Sequence, residues 1–517
     1  MKIKYIPILI SAVAFTSCND FLDVKPVGKL IPTEVTQFEN LLNNVNTINY
    51  HYLDNNNGCG MAYFGDNLSI SENQAKYSYV STHPNIDRYA AYIFYEPFED
   101  LSKMSYTWEW GIYRATGLFN NVVDGIVDLG MQENEYAKGV IAQAKAGRAW
   151  SYLVGGLGHG PMYNPNGTND AKTIPYRTAA EPSVANPSLS TTAELFEQLK
   201  TDLDYAVINA PKNVGNPVRA NKAAAYALRA LYWMYMCNWT EMYNDADEAW
   251  KLSIANEGSE DKLFYNYNDF YYQEDASASP RPGEDVEYYL QLKYKDGDTD
   301  FNKSYSREHL LYRTCASASA TYPSDDFVAL FDKDTDLRYK LFMLNRVGYS
   351  STDGGVTHED GVRLYYLRGY KMLDNQGLTY PELLLMRAEA QARNHQLGGA
   401  LSDLNTLRKY RYAGTNTDLP NGSSLNEDQL LEEILKERRR ELPLGSFQRV
   451  FDLRRYVLDS GKPWSKTTIT HKVGDKTYSA PIDDAHFTMK IKNTYIRYNP
   501  QWGLTEWEGY YDPKSAE

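Results

Sequence analysis

The spacing of apolar residues predicts helices along much of the chain, most clearly between Thr379 and Tyr456. Thr379 stands three residues before Glu382, so each of these side chains can accept a bond from a free N–H at the start of a helix. Pro381 suits the first turn, and we expect the helix to have ended before Gly398. Its apolar face consists of Leu384, Leu385, Ala388 and Ala392. The two alanines allow a neighbouring helix to pack closely.

Two more helices are predicted in this stretch, and several others precede it. We expect one from Ala400 to Tyr412 and one that opens at Ser424 and ends before Pro443. Earlier segments with helical periodicity cover 107–128, 135–155, 191–207, 221–235 and 245–254. Two helices joined by a short turn pack antiparallel, so we predict a mostly α fold, a tetratricopeptide-like array of about four helix pairs. The last pair would join 425–442 to 447–458.

The helical periodicity is lost between Asn256 and Leu378, a segment rich in Tyr, Asp, Ser and Gly. A structureless loop of that length is implausible inside a compact domain. We therefore expect this segment to form a large irregular insertion lobe that packs on the helical array.

Composition narrows the classes of function. Hydrophobic residues make up 43% of the 517 residues, and a chain of this length can bury a large core. With 67 acidic and 53 basic residues the formal charge is −14, which is not that of a nucleic-acid or anionic-membrane binder. Tyrosine is frequent, with 44 residues beside 17 Phe and 9 Trp. A tyrosine ring with its polar tip suits stacking on sugars or packing on extended chains.

Common catalytic motifs are missing, including Gly-x-Ser-x-Gly, His-Glu-x-x-His and Cys-x-x-Cys. A glycine run from Gly155 to Gly160 lacks the Lys-Ser/Thr of a phosphate loop, and we expect it to end the helix before it. Two acidic runs, 296–300 and 332–336, lack the Gly and Glu of a calcium loop. We expect a binding protein with no cofactor and no metal. The alternatives are a surface glycosidase or peptidase, which needs converging catalytic groups, and a purely structural subunit.

The first residues are typical of an export signal. Lys2 and Lys4 precede an apolar run from Ile6 to Phe15 that is too short to span a membrane. The run ends in Phe-Thr-Ser-Cys, which resembles the lipobox in which the cysteine, here Cys18, becomes the lipidated N-terminus. We therefore expect residues 1–17 to be a lipoprotein signal peptide and Cys18 to carry the lipid.

Three segments near the C-terminus, TYPELLLMRAEAQARN, ALSDLNTLRKYR and ILKERRRELPLGSFQRVFDLRRY, resemble the SusD/RagB family of Bacteroidota nutrient-uptake lipoproteins. The Asn-Asp-Phe-Leu-Asp after Cys18 resembles the start of many mature chains of that family. The resemblance implies a SusD-like fold with an N-terminal segment 18–106, a first array part 107–256, an insertion lobe 257–378 and a C-terminal region 379–517. It also implies a lipid-anchored protein at the outer-membrane surface that passes a nutrient oligomer to a SusC-like TonB-dependent transporter.

The resemblance and the tyrosine-rich segments together suggest ligand contacts. Some family members bind ligand hydroxyls with an Asp and an Asn of an early loop, and Asp66 and Asn67 resemble that pair; an Asx turn is the alternative. The other expected contacts are Tyr63, Tyr77, Tyr79, Tyr272, Tyr289, Tyr312, Tyr366 and Arg368. No Trp occurs between Trp250 and Trp464 or before Trp108, so any stacking surface must use Tyr. This favours oligosaccharides other than starch-like glucans, with RagB-like capture of peptides as the alternative.

Overall fold

The structure is a computed structural model that describes residues 32–48, 60–79, 85–102, 106–315 and 321–512. The signal segment 1–17 and Cys18 lie outside the described residues. The fold is mostly α, as predicted. The α-helices are α1 (Val35–Leu41), α2 (Val45–Ile48), α3 (Asn85–Tyr92), α4 (Arg114–Asp128), α5 (Glu135–His159), α6 (Thr192–Asn209), α7 (Lys222–Tyr235), α8 (Trp239–Glu257), α9 (Asp325–Val328), α10 (Leu337–Phe342), α11 (Arg368–Lys371), α12 (Tyr380–Arg393), α13 (Leu397–Arg411), α14 (Glu427–Glu441), α15 (Gln448–Tyr456) and α16 (Asn493–Tyr498).

The long helices pack side by side in the order of the chain. α4 packs on α5, α5 on α6, α6 on α7 and α7 on α8. Although the insertion separates α8 from α12 in sequence, these two helices pack on each other, and α12 then packs on α13 and α14. The helical array is therefore continuous across the insertion, as the tetratricopeptide-like prediction requires. Within the described residues, no helix is both long enough and apolar enough to cross a membrane.

α5 continues through the glycine run, so the prediction that this run ends the helix was wrong. A Cβ at Gly155 would lie 2.7 Å from Ile112 Cδ1, and one at Gly156 would collide with the Leu195 side chain. The glycines permit neighbouring elements to approach the helix closely. That packing outweighs the low intrinsic helix propensity of glycine.

The start of α12 follows the predicted capping pattern only in part. Thr379 Oγ1 accepts from the backbone N–H of Glu382 at 3.2 Å. The Glu382 carboxylate does not return to the cap; it is buried and accepts from Arg438 at 3.0 Å and from Gln448 at 3.1 Å. Glu382 thus joins α12 to α14 and α15.

Two other helix starts differ from the predicted ones. α14 is capped by Asn426, which forms a capping box with Gln429, while Ser424 lies in a short 3₁₀ turn before it. α13 begins at Leu397, so Gly398 lies in its first turn. Both errors arise because capping residues are frequent in this stretch and the sequence alone does not show which one begins the helix.

The insertion is built from short antiparallel strand pairs. The strands are β1 (Leu68–Ser69), β2 (Phe270–Gln273), β3 (Gln291–Tyr294), β4 (His309–Leu311), β5 (Tyr322–Pro323), β6 (Met343–Val347), β7 (Ser350–Asp353), β8 (Val356–Glu359), β9 (Val362–Tyr366), β10 (Leu378–Thr379), β11 (Thr468–Val473) and β12 (Lys476–Pro481). Inside the insertion β2 pairs with β3, β6 with β9 and β7 with β8. β5 pairs with β1 of the early chain, and β4 pairs with β10 at the start of α12. The insertion is thereby joined to the early chain on one side and to the array on the other.

Candidate functional site

A buried charge cluster fixes the early chain at Asp66. The Asp66 carboxylate accepts from Arg449 at 2.8 and 2.9 Å and from Lys466 at 2.8 Å, and Arg439 lies 3.2 Å away. Burial disfavours the charged carboxylate, but Arg449, Arg439 and Lys466 outweigh this effect and hold the pKa of Asp66 well below its usual range. The neighbouring Asn67 Oδ1 accepts from Arg439 Nε at 2.8 Å. The two residues thus fasten the early chain to α14 and α15.

The same segment is tied to the insertion. Ser324 donates its backbone N–H to the Asn67 carbonyl at 2.8 Å and its hydroxyl to the Asp66 carbonyl at 2.6 Å. β1 follows directly, with Leu68 opposite Pro323 of β5. These bonds place the next residues of the early chain along the face of the insertion.

A cleft with a volume of about 600 Å³ lies where this early segment meets the insertion. One wall comes from residues 69–73, and the other from β5, the start of α9, the end of β8 and β9. Lys472 and Gly474 of the β11–β12 hairpin also line it. The volume is typical of pockets that bind small molecules or segments of a polymer. Asp66 and Asn67 do not line it.

Asp360 lies at the centre of the polar network in this cleft. Its carboxylate accepts from the Ser71 hydroxyl at 2.6 Å, from the Tyr322 hydroxyl at 2.6 Å and from Asn73 Nδ2 at 2.9 Å. The Tyr322 hydroxyl in turn accepts from the backbone N–H of Tyr349 at 2.8 Å. A carboxylate has about four lone-pair sites, so Asp360 keeps capacity for a further donor. The network therefore offers hydrogen-bond partners of the kind that sugar hydroxyls need.

An aromatic pair lies at the margin of the cleft. The half-buried Tyr77 ring stacks on His358 of β8, with ring centres 4.1 Å apart and an angle of 18° between their planes. Glu359, the next residue after His358, lines the cleft. Neither ring lines the cleft itself, so the stacked pair is a flat apolar surface next to the cleft wall.

A second surface of the insertion carries three neighbouring tyrosines, which we call the tyrosine face: the half-buried Tyr288 and the exposed Tyr289 and Tyr370. Tyr289 and Tyr370 are 40% and 55% exposed, and Tyr370 stacks on Tyr288 at 5.9 Å and 17°. The turn that carries Tyr288 is fixed by Lys371, whose Nζ donates to three of its backbone carbonyls at 2.8 to 2.9 Å. These three hydrogen bonds therefore hold the backbone that carries the Tyr288 ring in place.

The tyrosine face is joined to the cleft by the β6–β9 ribbon. The Arg346 guanidinium lies 4.4 Å from the Tyr288 ring centre and 4.9 Å from that of Tyr365. Arg346 stands directly opposite Arg363 in the ribbon, and Arg363 lines the cleft. Residues opposite each other on paired strands point to the same side, so one surface leads from the cleft to the tyrosine face.

The structure brings two of the predicted ligand residues to these surfaces, Tyr77 at the cleft margin and Tyr289 on the tyrosine face. The rest are engaged inside the protein. Tyr63 donates to or accepts from Thr321 at 2.8 Å, Tyr272 donates to the Leu341 carbonyl at 2.6 Å, and Arg368 donates to Asp374 at 2.9 Å. Those with a buried side chain are Tyr63, Tyr79, Tyr312, Tyr366 and Arg368.

Sequence reasoning missed the residues that form the cleft itself, among them Ser71, Asn73, Tyr322 and Asp360. Ser71 and Asp360 are 289 positions apart, so no local motif could have linked them. The one available signal was the dense polar composition of the segments on which they lie. The segments were identified, but the members of the site were not.

The carboxylates of the acidic run 332–336 bond to residues close to them in the sequence. The Asp332 carboxylate accepts from the backbone N–H groups of Asp334 and Thr335 at 2.9 Å each, and Asp336 forms an ion pair with Arg338 at 2.7 Å. Across the part of the chain that the structure describes, no three His, Cys, Asp or Glu side chains are arranged to hold a metal ion.

Comparison with known proteins agrees with this architecture. The model of the SusD family matches residues 378–513. A putative sugar binding protein of Bacteroides vulgatus is 17% identical, with a TM-score of 0.62 over 93% of this chain and 100% of that one. A SusD superfamily protein of Bacteroides thetaiotaomicron, also 17% identical, has a TM-score of 0.60 over 90% and 98% of the two chains. A SusD-like carbohydrate binding protein of Bacteroides vulgatus, 16% identical, has a TM-score of 0.55 over 90% and 97%.

These solved structures show that the fold is the SusD-like fold over nearly the whole chain. The SusD family match itself covers the C-terminal part of the chain, residues 378–513. None of the curated proteins compared with the sequence matches it.

Proposed function

We propose that the protein binds a nutrient oligosaccharide in the cleft between the early chain and the insertion, and that it releases the ligand without cleaving it. The observation that carries this proposal is the Asp360 network beside the Tyr77–His358 stack. Carboxylate, amide and hydroxyl groups pair with sugar hydroxyls, while an aromatic ring covers the apolar face of a sugar. Solved proteins of the same fold that are described as sugar or carbohydrate binding support the choice of ligand class.

We further propose that the protein is anchored by a lipid on Cys18 at the outer-membrane surface and delivers its ligand to a SusC-like TonB-dependent transporter. The family match supports both parts of this proposal. Purification of a tagged protein from native membranes should recover the transporter. The variant C18S should move the protein from the membrane fraction to the soluble fraction, and unchanged membrane retention would contradict the anchor.

Calorimetry with a panel of neutral cello-, manno-, xylo- and galacto-oligosaccharides and with a peptide pool tests the binding proposal. We expect at least one oligosaccharide to bind and no product to form. The variant Y77A should weaken that binding about fivefold, because an aromatic contact contributes on the order of 1 kcal/mol beyond its buried area. Y498A is the matched control, because Tyr498 is 78% exposed and lies outside the cleft.

Three results would contradict the proposal. Equal losses in Y77A and Y498A would show that the cleft is not the site. Binding of peptides alone would favour the RagB-like alternative, and release of shortened sugars would favour a surface glycosidase.

A further inference from the structure

The charged groups of the cleft are mainly acidic. Its lining includes four carboxylates and two cations: Glu72, Asp325, Glu359, Asp360, Arg363 and Lys472. The whole chain adds to this asymmetry with its formal charge of −14. An incoming ligand therefore meets a negative surface before it meets the hydrogen-bonding network.

The carboxylates differ in whether a partner already occupies them. Asp360 already accepts three hydrogen bonds from the protein, as described above. Glu72, Asp325 and Glu359 form no ion pair with any described residue, whereas Asp326, next in sequence to Asp325, pairs with Lys466 at 3.0 Å. Three carboxylates are thus left on the cleft wall without a compensating cation.

The two cations do not neutralise them. The Arg363 guanidinium lies over the Tyr322 ring at 5.6 Å and makes no ion pair within the described residues. Lys472 is exposed on the β11–β12 hairpin and likewise makes no ion pair within the described residues. A ligand carrying anionic groups would bring them close to unpaired carboxylates, and juxtaposed like charges suppress binding.

We propose that this cleft selects oligosaccharides that are neutral or carry amino groups, and rejects those that carry uronate or sulfate groups. The inference rests on the proposed function, because it assigns a ligand class to the same cleft. A neutral sugar uses the Asp360 network without a charge penalty. An amino sugar gains an ion pair with Glu72 or Glu359, whereas a uronate gains none except at Arg363 or Lys472.

Calorimetry at low ionic strength with three chemical forms of the same backbone tests this selection. Each cello-, manno- and galacto-oligosaccharide of the panel is compared with its C6-carboxylate and C6-amine derivatives. We expect the carboxylate form to bind about tenfold more weakly than the neutral form, and the difference to shrink in 0.5 M salt, where screening is strong. The amine form should bind at least as tightly as the neutral form.

The triple variant E72Q/D325N/E359Q should bring the affinities for the neutral and carboxylate forms close to each other, because it removes charge and keeps shape. The control E197Q/D418N removes two exposed carboxylates outside the cleft and should leave the discrimination unchanged. If the wild type binds neutral and carboxylate forms equally, or prefers the carboxylate form, the charge selection is overturned while the proposed function stands. If no form of any backbone binds, the proposed function is overturned and the selection with it.

Discussion

The helical framework and the ligand-facing surface use arginine in opposite ways. In the framework formed by α10 and α12–α15, Arg338, Arg438 and Arg455 are almost completely buried, and each pairs with carboxylates of other elements. On the β6–β9 ribbon, Arg346 and Arg363 lie over tyrosine rings and have no carboxylate partner within the described residues. Arginines that are paired with buried carboxylates hold the helical framework together. Arginines without a carboxylate partner can contact a ligand.

The largest effect should follow from removing a framework arginine. Arg338 is fully buried between Asp336 at 2.7 Å, Glu437 at 2.6 Å and Glu441 at 2.7 Å. The variant R338A removes a shared cation from all three buried carboxylates and leaves Asp336 with no ion pair among the described residues, so we expect a loss of about 3 to 5 kcal/mol in the free energy of unfolding. Denaturant titration measures it.

An exposed ion pair provides the control for that loss. Lys462 and Asp428 lie 2.7 Å apart with side chains 44% and 43% exposed. K462A should change stability by less than about 1 kcal/mol. Similar losses in R338A and K462A would contradict the division between framework and surface.

A buried carboxylate of the framework should make the free energy of unfolding depend on pH in the acidic range. Glu389 is buried, which disfavours its charge, but Arg455 and Arg393 outweigh burial and lower the pKa of Glu389 to about 2. Because the folded pKa lies below the unfolded one, the contribution is fully present above about pH 5 and is lost as the pH falls toward 2. We expect E389Q to be about 3 kcal/mol less stable at pH 7, a gap that narrows toward pH 2. A gap that is constant with pH would contradict this assignment.

The buried charge cluster around Asp66, which we call the clamp, should couple the framework to the ligand-facing surface. D66N keeps the side-chain volume but weakens the charged hydrogen bonds to Arg449 and Lys466, so we expect a stability loss of about 2 kcal/mol. Oligosaccharide binding should also weaken, although Asp66 does not line the cleft, because the clamp positions residues 69–77. Unchanged affinity in folded D66N would show that the early chain keeps its position without the clamp.

The smallest effect should come from the tyrosine face, and it should depend on ligand length. Y370A removes an exposed ring that stacks on Tyr288. We expect a loss of about threefold for long oligosaccharides and none for those that only fill the cleft, since an exposed ring contact is worth less than about 1 kcal/mol. Calorimetry with a length series measures this, and equal losses at every length would contradict a path from the cleft to this face.

The sequence predicted the framework much better than the site. Helical periodicity and the Thr379 cap follow from local residue types, which is why the array and most helix positions were predictable. The exposure of a tyrosine depends on tertiary packing, so nothing local distinguishes Tyr289, which is 40% exposed, from Tyr366, which is 4% exposed. Ser71 and Asp360 are far apart in the sequence, and only the tertiary fold brings them together in the cleft.

Hydrogen exchange with and without the tightest neutral oligosaccharide of the panel tests most directly where the ligand binds. Bound ligand should slow amide exchange in residues 69–79 and in the 349–366 segment, which carry the cleft walls, and should leave α5–α8 of the array unchanged. Protection confined to the array, or none near the cleft despite measured binding, would contradict the assignment of the ligand site.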